Sequence, residues 1–156
     1  MDPMLDVPQI LRVRSQPAAV IHITVAREKI ATVMDAAMEE LEAALLGLRI
    51  EATGPMFSHH LRMDPEVFDF ELGLPVAEVV PELGRVHPGR LPAATVARTV
   101  YRGGYEGLGI AWEDFRGWIA RNGHATAPDL WECYASDPEF DPDPQDWCTE
   151  LYQPLA

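Results

Sequence analysis

The sequence predicts an α+β fold in which two copies of a strand-helix-strand-strand unit join about a pseudo-twofold axis. Together they make one antiparallel sheet with two long helices on one face and a cleft between the halves. Three observations predict it. Similar blocks of residues recur in the same order in the two halves, each half carries one long amphipathic stripe, and each stripe is followed by paired runs of alternating residues.

The first block, Ala19-Val20-Ile21-His22-Ile23-Thr24-Val25, lies over Ala94-Thr95-Val96-Ala97-Arg98-Thr99-Val100. Both are rich in β-branched residues and read as strands. Next, Met34, Met38, Leu41 and Leu45 superpose on Leu108, Trp112, Phe115 and Ile119. Their spacing is that of one buried helix stripe, so helices are expected from Arg27 to Leu48 and from Tyr105 to Asn122. Gly103-Gly104 marks the turn into the second helix and Gly123 its end.

Farther on, Gly54-Pro55 lies over Ala127-Pro128, Asp64-Pro65-Glu66 over Asp137-Pro138-Glu139, and Phe70 to Val76 over Thr149 to Leu155. These blocks frame two hairpins: Met56 to Arg62 with Val67 to Leu74, and Trp131 to Ser136 with Trp147 to Gln153. The second turns through Phe140 to Asp146, a Pro- and Asp-rich stretch of the kind that accepts an insertion. Copy one is thus expected over about 10–76 and copy two over about 93–156, with a linker over about 77–92 that holds one short strand near Arg85 and Val86, all in a single domain spanning 1–156.

Strand alternation assigns the faces. Phe68, Phe70, Leu72 and Leu74 share a core face, with Val67, Asp69 and Glu71 opposite. In the duplicate strand Trp147, Thr149 and Leu151 take the core face, which leaves Cys148, Glu150 and Tyr152 on the other. Glu150 beside Tyr152 has two readings: a solvated carboxylate, or the one charge in an aromatic cleft whose floor is formed by these faces.

Bulk composition excludes several classes. At 47% hydrophobic and 24% charged, the chain has enough apolar surface to fold. Its 25 acidic and 12 basic residues give a net charge of -13, which argues against a phosphate backbone as direct partner. Residues Met1 to Gln9 form no apolar h-region, and no run approaches the roughly 18 apolar residues of a membrane span, so a cytoplasmic protein is expected. Cys133 and Cys148 are expected as thiols.

No metal or cofactor is expected. His59 and His60 are adjacent, and adjacent strand residues point to opposite faces, so the pair cannot ligate one ion without distortion. The acidic run Asp137, Asp141, Asp143 and Asp146 lacks the Gly and the terminal Glu of a calcium loop, and neither HExxH nor CxxC occurs.

The stretch Tyr101-Arg102-Gly103-Gly104-Tyr105-Glu106-Gly107-Leu108, then Trp112, then Thr149-Glu150-Leu151-Tyr152-Gln153-Pro154-Leu155, resembles the gyrase-inhibitor-like (GyrI-like) family, also known as the effector-binding domain of bacterial transcription activators. The resemblance covers essentially the whole chain and implies a pseudo-symmetric α+β fold. Its central cleft would bind small aromatic or cationic compounds, with the glutamate of the final strand, here Glu150, as a principal polar contact. Tyr101, Tyr105, Trp112, Tyr134 and Tyr152 are the aromatic candidates, joined by Phe57 and His59 from copy one. Copy one starts near Ile10, so the helix-turn-helix that precedes the module in family regulators is not expected here.

Three functions follow from this reading. The first is a stand-alone effector-binding, multidrug-binding or sequestering protein for a hydrophobic, aromatic or cationic compound. The second is a hydrolase of reactive electrophilic molecules, with Glu150 as general base and Tyr152 as orienting group or acid. The third is a gyrase-inhibitor-like interaction module whose partner is gyrase or a separate regulator.

Overall fold

The computed structural model of the chain describes residues 5–135 and 147–156. In chain order the elements are β1 (Gln9–Val13), β2 (Gln16–Ala26), α1 (Ile30–Leu48), β3 (Phe57–Met63), β4 (Val67–Pro75), β5 (His87–Leu91), β6 (Ala94–Arg102), α2 (Leu108–Arg121), β7 (Leu130–Tyr134) and β8 (Cys148–Pro154). Short 3₁₀ turns at Arg27–Lys29 and Tyr105–Gly107 lead into the helices, so both begin with a tighter turn than the expected helix starts at Arg27 and Tyr105. The turn expected through 140–146 and the block 137–139 lie outside the described residues.

Two strands escaped the sequence pattern. β1 was not expected, and the short strand expected near Arg85 and Val86 is instead a bridge between Leu83 and Val86 followed by β5. Both strands sit at the sheet edges, where β5 tolerates Pro88 and Gly89 because only one side of it must pair. Those two residues erase the usual strand signature.

The eight strands form one sheet in the order β1-β6-β8-β7-β3-β4-β2-β5, and every strand pairing is antiparallel. The order forces a curl. Residues 14 and 15 alone link β1 to β2, and 92 and 93 alone link β5 to β6, yet each linked pair is six strand positions apart in the sheet. A flat sheet would separate such strands by about 29 Å, whereas three peptide steps reach about 11 Å. The sheet therefore bends until its two edges approach each other.

Curling gives the sheet an outer and an inner face, each with its own core. Leu41, Leu45 and Ala37 of α1 pack on Ala19, Ile21, Phe70 and Leu72, with Met34 and Met38 partly buried against them. Trp112, Phe115 and Ile119 of α2 pack on Ala97, Tyr101, Leu130 and Leu151. A third cluster collects the residues of opposite alternation: Ala18, Val20, Phe57, Leu91, Val96, Trp131 and Cys133, with Leu11, Val13 and Tyr152 against them. Because it draws on both edge strands, it lies on the inside of the curl. Phe57 lies so close over Gly73 that a Cβ there would meet the ring at 2.5 Å. No helix among the described residues is long and apolar enough to cross a membrane.

Candidate functional site

The central strands β3 and β7 pair Ser58 with Glu132 and His60 with Leu130 on one face, and Phe57 with Cys133 and His59 with Trp131 on the other. The residues expected to line one cleft consequently divide. Phe57, His59, Glu150 and Tyr152 point to the inner face. Tyr134, Trp112 and Tyr101 belong to the outer face, and Tyr105 packs its ring on Tyr134 at 5.8 Å between centroids. Sequence alternation separates His59 from His60 in the same way: His59 meets the edge of Trp131, and His60 stacks on Phe70 at 5.0 Å.

On the inner face Glu150 is not a lone charge. Arg98 forms an ion pair with it at 3.2 Å, the Tyr152 hydroxyl donates to it at 2.9 Å, and Arg98 Nε donates to that same hydroxyl at 3.2 Å. Trp131 stacks on Tyr152 at 5.4 Å, and His59 Nε2 is hydrogen-bonded to Asp129 Oδ2 at 2.8 Å. Burial pushes the Tyr152 phenol up to about 12, so it keeps its proton at neutral pH. The Glu150 and Arg98 side chains are 26% and 30% exposed. The trio closes on itself, with Tyr152 packed against the inner-face cluster.

The outer face holds a different carboxylate, one the sequence reading passed over. Glu132 is buried on β7 at 8% exposure, and none of the described Lys, Arg or His residues forms an ion pair with it. Trp112 Nε1 donates to one of its oxygens at 3.0 Å, and the Tyr134 hydroxyl approaches the other at 3.2 Å. Tyr134 in turn is 2.7 Å from Ser58 Oγ, which is 3.3 Å from His60 Nε2.

Burial raises the Glu132 carboxyl above its ordinary value, against the opposing hydrogen bonds of Trp112, Tyr134 and Ser58. Burial, then His59 and Arg27, lowers His60 to about 4. Trp112 and Tyr134 touch this acid directly, and a run of rings extends outward from Tyr134 through Tyr105, which is 39% exposed, to Trp147 at 4.9 Å from Tyr105. Tyr101 serves the turn into α2 instead: its hydroxyl donates to Gly104 O at 2.9 Å.

A buried carboxylate among aromatic rings, with no ion-pair partner among the described residues, matches cationic organic guests: the rings supply cation-π attraction and the acid supplies charge. No group of His, Cys, Asp and Glu among the described residues is arranged to hold a metal. An open depression of about 760 Å³ at the far edge, lined by Ile10, Ala94, Thr95, His124 and Leu155 among others, offers neither an acid side chain nor an aromatic ring beyond the imidazole.

A family model for the GyrI-like small molecule binding domain matches residues 7–156. The chain belongs to this family. No curated protein matches it. Among solved structures, this GyrI-like chain is similar to the C-terminal domain of EcmrR, with a TM-score of 0.85 at 15% identity over 96% of this chain and 97% of that one. It also matches EcmrR in complex with DNA, with a TM-score of 0.83 at 16% identity over 97% of this chain, and spans 57% of that EcmrR chain. SAV2435, solved bound to tetraphenylphosphonium, has a TM-score of 0.73 at 13% identity over 97% of this chain and 94% of its own. At these identities the likeness is one of fold.

Proposed function

We propose that this GyrI-like chain binds a lipophilic organic cation on the outer face of the sheet, with Glu132 as the countercharge and Trp112, Tyr134, Tyr105 and Trp147 as the aromatic walls. The observation that carries the reading is the burial of Glu132 with hydrogen-bond donors and no ion-pair partner among the described residues. A carboxylate in that state is costly, and a guest cation offsets the cost. The tetraphenylphosphonium bound to SAV2435 is a guest of this class on the same fold.

Glu150 was expected to be the principal contact. Its ion pair with Arg98 gives it an internal cation already, so its role in this reading is to hold the inner-face trio together. The hydrolytic alternative assigns Glu150 as base and Tyr152 as acid. A base tied to a guanidinium and a phenol that holds its proton do not favour it over binding.

Two features of the architecture belong to the same reading. From the central β3·β7 pair outward, the sheet runs β3-β4-β2-β5 on one side and β7-β8-β6-β1 on the other, which supports two copies of one unit over about 10–76 and about 93–156. Register also supports α1 and α2 on the same outer face, flanking the floor that carries Glu132.

A fluorescence titration with tetraphenylphosphonium tests the site, because Trp112 touches the acid directly. Saturable quenching is expected in the wild type, strong loss of affinity in Glu132→Gln, and little change in Glu150→Gln. Equal affinity of wild type and Glu132→Gln overturns the reading.

A further inference from the structure

The outer face contains a hydrogen-bonded line that cation binding alone does not require: Glu132 Oε1, Tyr134 Oη at 3.2 Å, Ser58 Oγ at 2.7 Å from that hydroxyl, and His60 Nε2 at 3.3 Å from the serine. Each hydroxyl can donate once and accept once, so the line has two complete orientations. In one, a protonated Glu132 donates to Tyr134, Tyr134 to Ser58, and Ser58 to the bare Nε2 of His60. In the other, His60 Nε2–H donates to Ser58, Ser58 to Tyr134, and Tyr134 to the Glu132 carboxylate. No buried hydroxyl is left without a partner in either.

We propose that Ser58 and His60 act with Tyr134 as a proton relay, through which Glu132 gives up its proton when an organic cation enters and recovers it when the cation leaves. The proton count closes. As Glu132 loses its proton, one proton shifts at each link, and Nε2 of His60 gains one. The imidazolium so formed loses its Nδ1 proton to solvent, and His60 ends neutral in the other tautomer. One positive guest enters and one proton leaves, so the net charge of the site is the same before and after the exchange.

The surroundings favour this exchange over a resident ion. Burial holds Glu132 toward its neutral form. His60, packed between Phe68 and Phe70, is kept neutral by burial, by His59 beside it and by Arg27, whose guanidinium lies over Phe68. His60 can therefore carry a proton only in passing. The groups that bear on Glu132 are Trp112 from α2, Ser58 from β3 and Tyr134 from its own strand, with Tyr105 beyond Tyr134. None of these is a base that would take the proton instead. The two outer links, at 3.2 and 3.3 Å, are longer than the middle one at 2.7 Å, and each lies within hydrogen-bond reach.

The inference rests on Glu132 as the cation's countercharge, and the test separates the two claims. Tetraphenylphosphonium affinity is measured across pH 5 to 8 for the wild type, Glu132→Gln, Ser58→Ala and Ser58→Thr. Ring nitrogens of ¹⁵N-histidine-labelled protein are followed by NMR at a pH on the rising limb. The relay predicts wild-type affinity that climbs by about tenfold per pH unit and then levels off. It also predicts that His60 exchanges its Nδ1–H tautomer for Nε2–H on saturation, that Ser58→Ala still binds without the exchange, and that Ser58→Thr restores it. Saturable binding with an unchanged His60 tautomer, or affinity flat with pH, overturns the relay and leaves the cation site standing. Equal affinity in Glu132→Gln, or no binding at all, removes both.

Discussion

Replacing Glu132 with Gln is the most informative single change, because it removes the charge while leaving the local geometry a way to stay satisfied. The Gln carbonyl can accept from Trp112 Nε1, now 3.0 Å from the carboxylate, and its amide can donate to the Tyr134 oxygen, which then donates to Ser58. The aromatic walls are untouched. A cation centre held about 6 Å from a carboxylate, at an effective dielectric near 20, gains about 3 kcal/mol, so tetraphenylphosphonium affinity should fall by about a hundredfold. Titration calorimetry reads the loss directly. A neutral triaryl guest such as triphenylphosphine oxide should bind both proteins within about threefold of each other, since it draws on the rings alone.

Stability should move the other way. A carboxyl with a raised folded value binds its proton more tightly folded than unfolded. Its contribution is greatest in acid and falls as pH rises through the window between the ordinary and the raised value. Gln has no proton to lose, so the variant should melt no lower than the wild type at pH 7 to 8. Undiminished cation affinity, or a variant destabilised at neutral pH while its rings still bind the neutral guest, refutes the reasoning.

Other perturbations follow from the same geometry. Glu150→Gln should change stability by less than about 1 kcal/mol in chemical denaturation, since it breaks a partly exposed pair with Arg98. Phe115→Ala removes a fully buried ring under α2 and should cost about 3 to 5 kcal/mol, lowering the calorimetric Tm by roughly 10 °C. Gly73→Ala drives a methyl into the Phe57 ring and Val20, at 2.5 and 2.9 Å, and should cost about 1 to 3 kcal/mol in urea; an unaltered midpoint means the inner face has spare room. His60, lowered to about 4, contributes stability that is complete above its unfolded value of 6.5 and is lost as pH falls from there through 4. His60→Phe should therefore flatten the acid limb of the melting curve by about 3 kcal/mol over that window.

Much of the fold was legible because local pattern and tertiary burial agree. The α1 stripe of Leu41 and Leu45, with Met34 and Met38 at its margin, packs as its spacing requires, and Phe70, Leu72 and Leu74 fall on one face of β4 as alternation requires. The edge strands were illegible for the opposite reason. An edge strand satisfies only one row of hydrogen bonds, so Pro88 and Gly89 survive there, and β1 needs no more than Ile10, Leu11 and Val13. The curl was also hidden, because it follows from which strands pair across the chain, with only two residues linking β1 to β2.

The site divided along the same lines. Glu150 drew notice because it alternates with Leu151 in a strand whose faces differ, which is where periodicity can be read. Glu132 sits in Leu130-Trp131-Glu132-Cys133-Tyr134, where the first four residues are buried because the strand has α2 on one side and the inner-face cluster on the other. Alternation vanishes in such a strand, and with it any clue to direction. What remains is a single charge in a run that is otherwise apolar and aromatic. A strand with a carboxylate in that setting is either misplaced or functional, because burying the charge costs more than a solvated rim glutamate ever does. The more telling acid was therefore the one whose neighbours gave it no water to face, and the pairing of Glu150 with Arg98 is the corresponding sign that the rim carboxylate is already answered from within the chain.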